Sequence, residues 1–222
     1  MKIIKSKNSG VLMLARKRKI YSCGVTILAM LFFISTSNLA EETDNNLEST
    51  LVSPMILGNS DAPVKIIEYA SFTCPHCATF HMEVLPKIKE DYLDKGIAQL
   101  EYREVYFDGP GLWAGLLARC KGNEKYFPMI DLIYKKQQEW AKGDLENIKA
   151  GLLSIGRQAG LTDKKSLTCM QDDDLAEKLV SSFQKNATKD GISSTPSLII
   201  NGQLVRNLPY EDLKDIIEKD LE

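Results

Sequence analysis

The chain has 222 residues, with 28 Lys and Arg against 30 Asp and Glu, and 44% of its residues are hydrophobic. That length accommodates one domain with a sizeable core and room for an insertion. Seven of the basic residues and none of the acidic ones fall in the first forty positions, so the remaining 182 residues carry 21 basic and 30 acidic groups, net −9. So acidic a balance argues against nucleic acid or an anionic membrane surface as a partner.

Residues 1–40 read as a signal peptide. Lys2, Lys5, Lys7, Arg16, Lys17, Arg18 and Lys19 precede an apolar run from Val25 to Ile34, and the small residues Ser35, Thr36, Ser37 and Ala40 follow it. Cleavage is expected after Ala40, although Asn38 departs from the small-residue pattern. An uncleaved membrane anchor is the alternative, and Met13 offers a second start. Cys23 in Ile20-Tyr21-Ser22-Cys23 only loosely matches a lipid-attachment motif, because its apolar run follows the cysteine. It is removed with the signal, leaving four cysteines, an even number suited to an oxidising compartment. Residues 41–57 open on Glu41-Glu42-Thr43-Asp44 and read as a short flexible lead-in.

Val64 to Ala70 is predicted as a strand, and Pro75 to about Asp91 as a helix with Phe80, Val84, Leu85 and Ile88 on one apolar face. Cys74-Pro75-His76-Cys77 sits at the junction. Pro75 suits a first helical position. Cys74 is thereby left at the helix N-terminus, where unpaired N–H groups and the helix dipole favour a thiolate over a thiol. Two cysteines at this spacing close a disulfide within one turn, the outer sulfur exposed and the inner beneath it. That geometry serves thiol–disulfide exchange through a mixed disulfide on Cys74. His76 between them would further favour the Cys74 thiolate. Two other readings stand beside it. Cys74 and Cys77 with His81 make part of a zinc site, though no second C-x-x-C completes it, or the pair forms an inert structural disulfide.

Gly96 is expected to end the helix, and Ala98 to Phe107 reads as a second strand with Leu100, Tyr102, Val105 and Tyr106 as packing residues. Asp108-Gly109-Pro110-Gly111 breaks the chain. From Gly111 to Asp190 the pattern is helical. Leu112, Leu116 and Leu117 start one helix, and Tyr126, Ile130, Ile133 and Tyr134 mark another. Ile148, Leu152, Ile155 and Ala159 mark a third, stopped by Gly160; Leu175, Leu179, Val180 and Phe183 mark a fourth, stopped by Gly191. Strand character returns at Ser197 to Ile200. Asn201-Gly202 signals a hairpin to Gln203 to Arg206, and a closing helix runs from Tyr210 to Leu221.

This order, with C-x-x-C opening the first helix and Thr195-Pro196 just before the hairpin, resembles an α/β thioredoxin fold with an all-helical domain inserted between the second strand and the C-terminal hairpin. Over roughly residues 58–222 it resembles the DsbA family of exported bacterial thiol:disulfide oxidoreductases, alphaproteobacterial members in particular. The resemblance implies a thioredoxin-fold first half at 58–108, a helical insertion at 109–190 and a second half at 191–222. Cys74 would be the nucleophile, Cys77 its buried partner, and Pro75 and His76 the rest of the redox motif. Glu68, six residues before Cys74, matches the acidic residue that the family places beneath the active site, where it could accept a proton through water. A solvent-facing strand residue is the other reading of Glu68. Pro196 would be cis, and the Thr195 backbone would offer hydrogen bonds to an extended substrate.

The resemblance further implies a periplasmic protein, without cofactor or metal, acting on unfolded or reduced exported proteins and reoxidised by a DsbB-like membrane partner. Thr195 stands where the best-known strong oxidants of the family carry valine, and resembles the isomerase and reductase relatives. The stretch from Glu41 to about Ile56 is too short for the dimerisation domain of the DsbC type, so a monomeric oxidase is expected. The alternatives are an isomerase or reductase of the same fold, or a non-catalytic periplasmic chaperone or metal carrier. Cys120 and Cys169 resemble the second, non-catalytic disulfide of some relatives, with free buried thiols as the alternative.

Overall fold

The computed structural model describes residues 52–219 and 221. The expected signal at 1–40, its cleavage point and Cys23, and the first part of the lead-in lie outside the described residues. Five strands form one mixed sheet: β1 (Met55–Gly58), β2 (Val64–Ala70), β3 (Ala98–Glu104), β4 (Ser197–Ile200) and β5 (Gln203–Arg206), in the order β1-β3-β2-β4-β5. β2 and β3 run parallel, joined by a helical crossover, and the other pairings are antiparallel. Asn201 and Gly202 both take positive φ (44° and 85°), as a two-residue hairpin turn between β4 and β5 requires.

The expected flexible lead-in to residue 57 needs correction, because β1 pairs with β3 in the register Met55↔Tyr102 and Leu57↔Leu100. Four residues are too few for alternation to stand out. What fixes this edge strand is tertiary: Met55 enters the core, and a Cβ on Gly58 would lie 2.7 Å from the Ala98 carbonyl.

The crossover helix α1 spans 75–93. It is α-helical over Pro75–Thr79 and Leu85–Ile88, and widens to π-type turns over Phe80–Val84 and Lys89–Leu93. Leu85 N–H reaches back five residues to the Phe80 carbonyl. Pro86 follows at once; without an N–H it cannot continue the regular ladder, and the widened turn precedes it. Phe80, Leu85 and Ile88 pack with Val64, Ile66 and Leu100 on one sheet face, joined there by Leu213 and Ile217 of α8 (Tyr210–Lys219). The opposite face, with Tyr69 and Ile199, meets α7 (Asp173–Lys189) through Ala187 and Phe183.

Between β3 and β4 lies the insertion: α2 (Gly109–Ala118), α3 (Tyr126–Lys135), α4 (Gln137–Trp140), α5 (Leu145–Gln158), α6 (Asp163–Met170) and α7. The expected break at Asp108-Gly109-Pro110-Gly111 is a helix start. Asp108 Oδ1 accepts from the Gly111 N–H at 2.7 Å, and Pro110 lies in the first turn. β3 correspondingly ends at Glu104, short of the expected Phe107. Cys169 lies within α6, an insertion helix with no counterpart among the four expected apolar stripes. That helix buries only Ser166 and Met170 and so has no apolar stripe to reveal it.

Arg119 ties the insertion to the sheet. Its guanidinium donates to both Glu104 oxygens at 2.7 and 2.8 Å, and the Tyr126 hydroxyl donates to the same carboxylate at 2.7 Å. Cys120, the next residue, is disulfide-bonded to Cys169, with Cα atoms 5.7 Å apart and a sequence separation of 49. Closing a loop of that length stabilises the fold by about 4 kcal/mol through the entropy it removes from the unfolded chain. Replacing both cysteines by alanine is expected to lower unfolding free energy in denaturant titrations by about that amount. A loss below ~1 kcal/mol would contradict this account.

Candidate active site

β2 delivers its C-terminal end to a tight turn, Ser71 to Thr73, before α1. Cys74 caps α1 from extended backbone (φ −83°, ψ 118°). Its N–H donates to the Ser71 carbonyl at 3.1 Å, and its carbonyl accepts the first helical bond, from Ala78 N–H, at 3.2 Å. Cys74 is half-buried and carries no disulfide, and Cys77, one turn inward, is fully buried against Ala70 and Phe72. β4 pairs with β2 through Tyr69↔Ser197, which swings the preceding loop alongside the turn. The Thr195–Pro196 peptide in that loop is cis, and Cys74 Sγ lies 3.4 Å from the Thr195 carbonyl.

The two sulfurs are driven apart in acidity. The Cys77 thiol hydrogen-bonds to Cys74 and, with help from the Thr195 side chain and the backbone N–H groups of Cys77 and His76, brings the Cys74 pKa down to about 5 against the effect of its partial burial. Burial pushes the Cys77 thiol far above its ordinary value, and its bond to Cys74 adds to that. The His76 side chain is exposed, and it is the His76 backbone N–H that acts on the sulfur. Pro75 is also exposed.

Glu68 is fully buried, beside Tyr102 across the β2–β3 register and beside Leu198 on β4. Neither carboxylate oxygen has a hydrogen-bond partner among the described residues. Burial alone raises its pKa to about 8, so the carboxyl is predominantly neutral at neutral pH. The Tyr134 hydroxyl, 2.6 Å from that of Tyr102, lies within electrostatic range of Glu68, Cys74 and Cys77.

His81 points elsewhere. Its Nε2 lies 2.7 Å from Asp131 Oδ1 and its ring stacks on Tyr134 at 4.7 Å, so the imidazole packs α1 against α3. Among the described residues no three His, Cys, Asp or Glu side chains converge as a metal site would need.

Three residues of this site carried no functional expectation from the sequence. Thr73 donates to Asp108 Oδ2 at 2.8 Å, and Gln137 Nε2 donates to the carbonyls of Phe72 (2.8 Å) and Cys74 (2.9 Å). Asp108 carried a readable signal, an acidic cap just before Gly-Pro. A lone glutamine in a helical block carries none.

Two stability slopes follow. The raised Glu68 pKa contributes stability below its ordinary value near 4.5 that is lost as pH rises through about 8. Glu68→Gln removes that loss, and its advantage over the parent in denaturant titrations is expected to grow by about 1.4 kcal/mol per pH unit across this window; a flat difference would refute the burial. The depressed Cys74 pKa acts in the opposite sense, and only in the dithiol form. Its contribution is complete above the ordinary value of 9.0 and is lost as pH falls through about 5. The melting temperature of the reduced protein should therefore fall relative to that of the oxidised protein as pH drops from 9 to 5. A constant gap would contradict the ionised sulfur.

A family model described as thioredoxin matches residues 50–219. The chain is 31% identical over 208 residues to the probable disulfide bond formation protein D of Bacillus cereus, covering 89% of this chain and 93% of that one. It is 32% identical over 169 residues to a putative protein-disulfide oxidoreductase of Rickettsia bellii, covering 76% of this chain but only 64% of the relative's length. Among solved structures, alpha-DsbA1 of Wolbachia pipientis superposes with a TM-score of 0.65 at 28% identity, over 78% of this chain and 94% of that one. A cysteine pair at the first crossover helix, a cis-proline loop beside it, a helical insertion after β3 and these matches converge: the chain belongs to the DsbA-like branch of the thioredoxin family.

Proposed function

We propose that the protein is a periplasmic thiol:disulfide oxidase that transfers its Cys74–Cys77 disulfide to reduced or unfolded exported proteins. The observation that carries this reading is the split between the sulfurs, one ionised near pH 5 and half-buried, the other fully buried and neutral. A substrate thiolate attacks Cys74 Sγ, and the Cys74–Cys77 bond breaks with its electron pair leaving on Cys77. Buried, that sulfur takes up a proton. A second substrate thiolate then attacks the substrate sulfur of the mixed disulfide and expels Cys74 as a thiolate, a good leaving group because its proton is weakly held. Two electrons pass to the enzyme dithiol, and the substrate gains one disulfide.

Glu68 takes a different part from the proton acceptor expected of it. As a neutral acid at pH 7 it serves the oxidising direction as the proton donor to the departing Cys77 sulfur. It becomes the acceptor when the pair is reoxidised. Thr195 and Pro196 border the Cys74 sulfur, where an extended substrate segment can pair with the Thr195 backbone. Reoxidation falls to a DsbB-type membrane partner, and the protein works as a monomer. Among the described residues no helix is long and apolar enough to cross a membrane.

Equilibration with glutathione tests the reading. The Cys74/Cys77 couple is expected to be far more oxidising than thioredoxin's, at about −270 mV. A potential near that value would overturn the oxidase and favour a reductase. With Cys74 first converted to its mixed disulfide with glutathione, Cys77→Ser is expected to accumulate a mixed disulfide between Cys74 and a reduced peptide as glutathione leaves, visible by mass, and Cys74→Ser to form none. Efficient recovery of scrambled ribonuclease without other catalysts would instead favour an isomerase.

A further inference from the structure

The active-site turn is held by the insertion as much as by the sheet. On one side Thr73 donates to Asp108, which also caps α2. The approach there is close, since a Cβ on Gly111 would lie 3.1 Å from Asp108 Oδ1 and 3.7 Å from Thr73 Oγ1. On the other side Gln137, almost completely buried on α4, spans the turn with one amide nitrogen, donating to the carbonyls of Phe72 and Cys74. Both partners are acceptors, which settles which end of the amide faces the turn. The opposite end, Oε1, is buried with no partner among the described residues. A buried glutamine with one end unsatisfied is a costly way to fill space, and the two bonds its nitrogen makes to the turn are what offset that cost.

We propose that Gln137 is a positioning residue of the redox site, fixing the Phe72–Thr73 and Cys74–Pro75 peptide units so that the N-terminus of α1 presents its N–H groups to the Cys74 sulfur beside Thr195. The inference deepens the oxidase reading and rests on it. The Cys74 carbonyl is the first acceptor of α1, so the bond from Gln137 sets the tilt of the peptide unit that starts the helix. The N–H groups of His76 and Cys77, which reach the sulfur, follow directly on that unit. Through α4 the helical insertion thus takes part in setting the acidity of a cysteine that lies outside it.

Gln137→Met keeps the side-chain length and removes both donors. It is expected to raise the Cys74 pKa, read from thiolate absorbance against pH, by about one unit. The equilibrium with glutathione should move about tenfold towards the protein disulfide, or ~30 mV for two electrons. A merely structural glutamine would lower the melting temperature of both redox forms and move neither readout. Gln137→Asn, too short to reach both carbonyls, is expected to shift both readouts in the same direction. Unshifted readouts in a folded variant overturn the proposal. In the unmodified protein, scalar couplings across the hydrogen bonds should link the Gln137 side-chain nitrogen to the Phe72 and Cys74 carbonyl carbons. Their absence overturns the proposal however the variants fold. A parent Cys74 that titrates near 9 would overturn the oxidase reading itself, whereas a low parent value with unshifted variants removes Gln137 alone.

Discussion

An ionised sulfur at the start of a helix, bonded to a neutral sulfur one turn further in, is the interaction on which the rest of this structure depends. The asymmetry needs Cys74 at a helix cap, where N–H groups converge, and Cys77 sealed in the core. β2 ends where it does to place the cap, Pro75 starts the helix without wasting a donor, and Ala70 and Phe72 close over the inner sulfur. Ionising one group lowers the cost of reducing the pair. Burying the other keeps it neutral, and Glu68, also fully buried, sits in register beside Tyr102 of the same cluster.

The redox centre was legible in the sequence because its chemistry is local. Cys74-Pro75-His76-Cys77 lies within one helical turn, and strand-then-helix patterning around it identifies the cap. Thr195 and Pro196 were legible only through family resemblance, since nothing in a single chain brings residue 195 to residue 74. The β2–β4 register does so. β4, β5 and their turn were readable to the residue, because Asn-Gly between two short apolar runs is a strong local signal.

What stayed hidden is tertiary. β1 is too short to show alternation and exists because Met55 and Gly58 fit against β3. α6 lacks an apolar stripe, and the expected break at Asp108 is a cap, a distinction that turns on whether a helix follows at once. His81, four residues past Cys77, invited a metal reading that α3 removes by offering Asp131. Gln137 shows the limit most sharply, because its two partners lie more than sixty residues earlier in the chain.

The second disulfide carries a consequence for how this chain reaches its native state. Among the described residues four cysteines, Cys74, Cys77, Cys120 and Cys169, allow three ways of forming two bridges. Entropy strongly favours the small Cys74–Cys77 ring, but it scarcely distinguishes Cys77–Cys120 from Cys120–Cys169, whose loops are of similar length. Correct linkage of the outer pair therefore waits on α2 meeting α6, and errors made before then sit within reach of the chain's own most reactive sulfur.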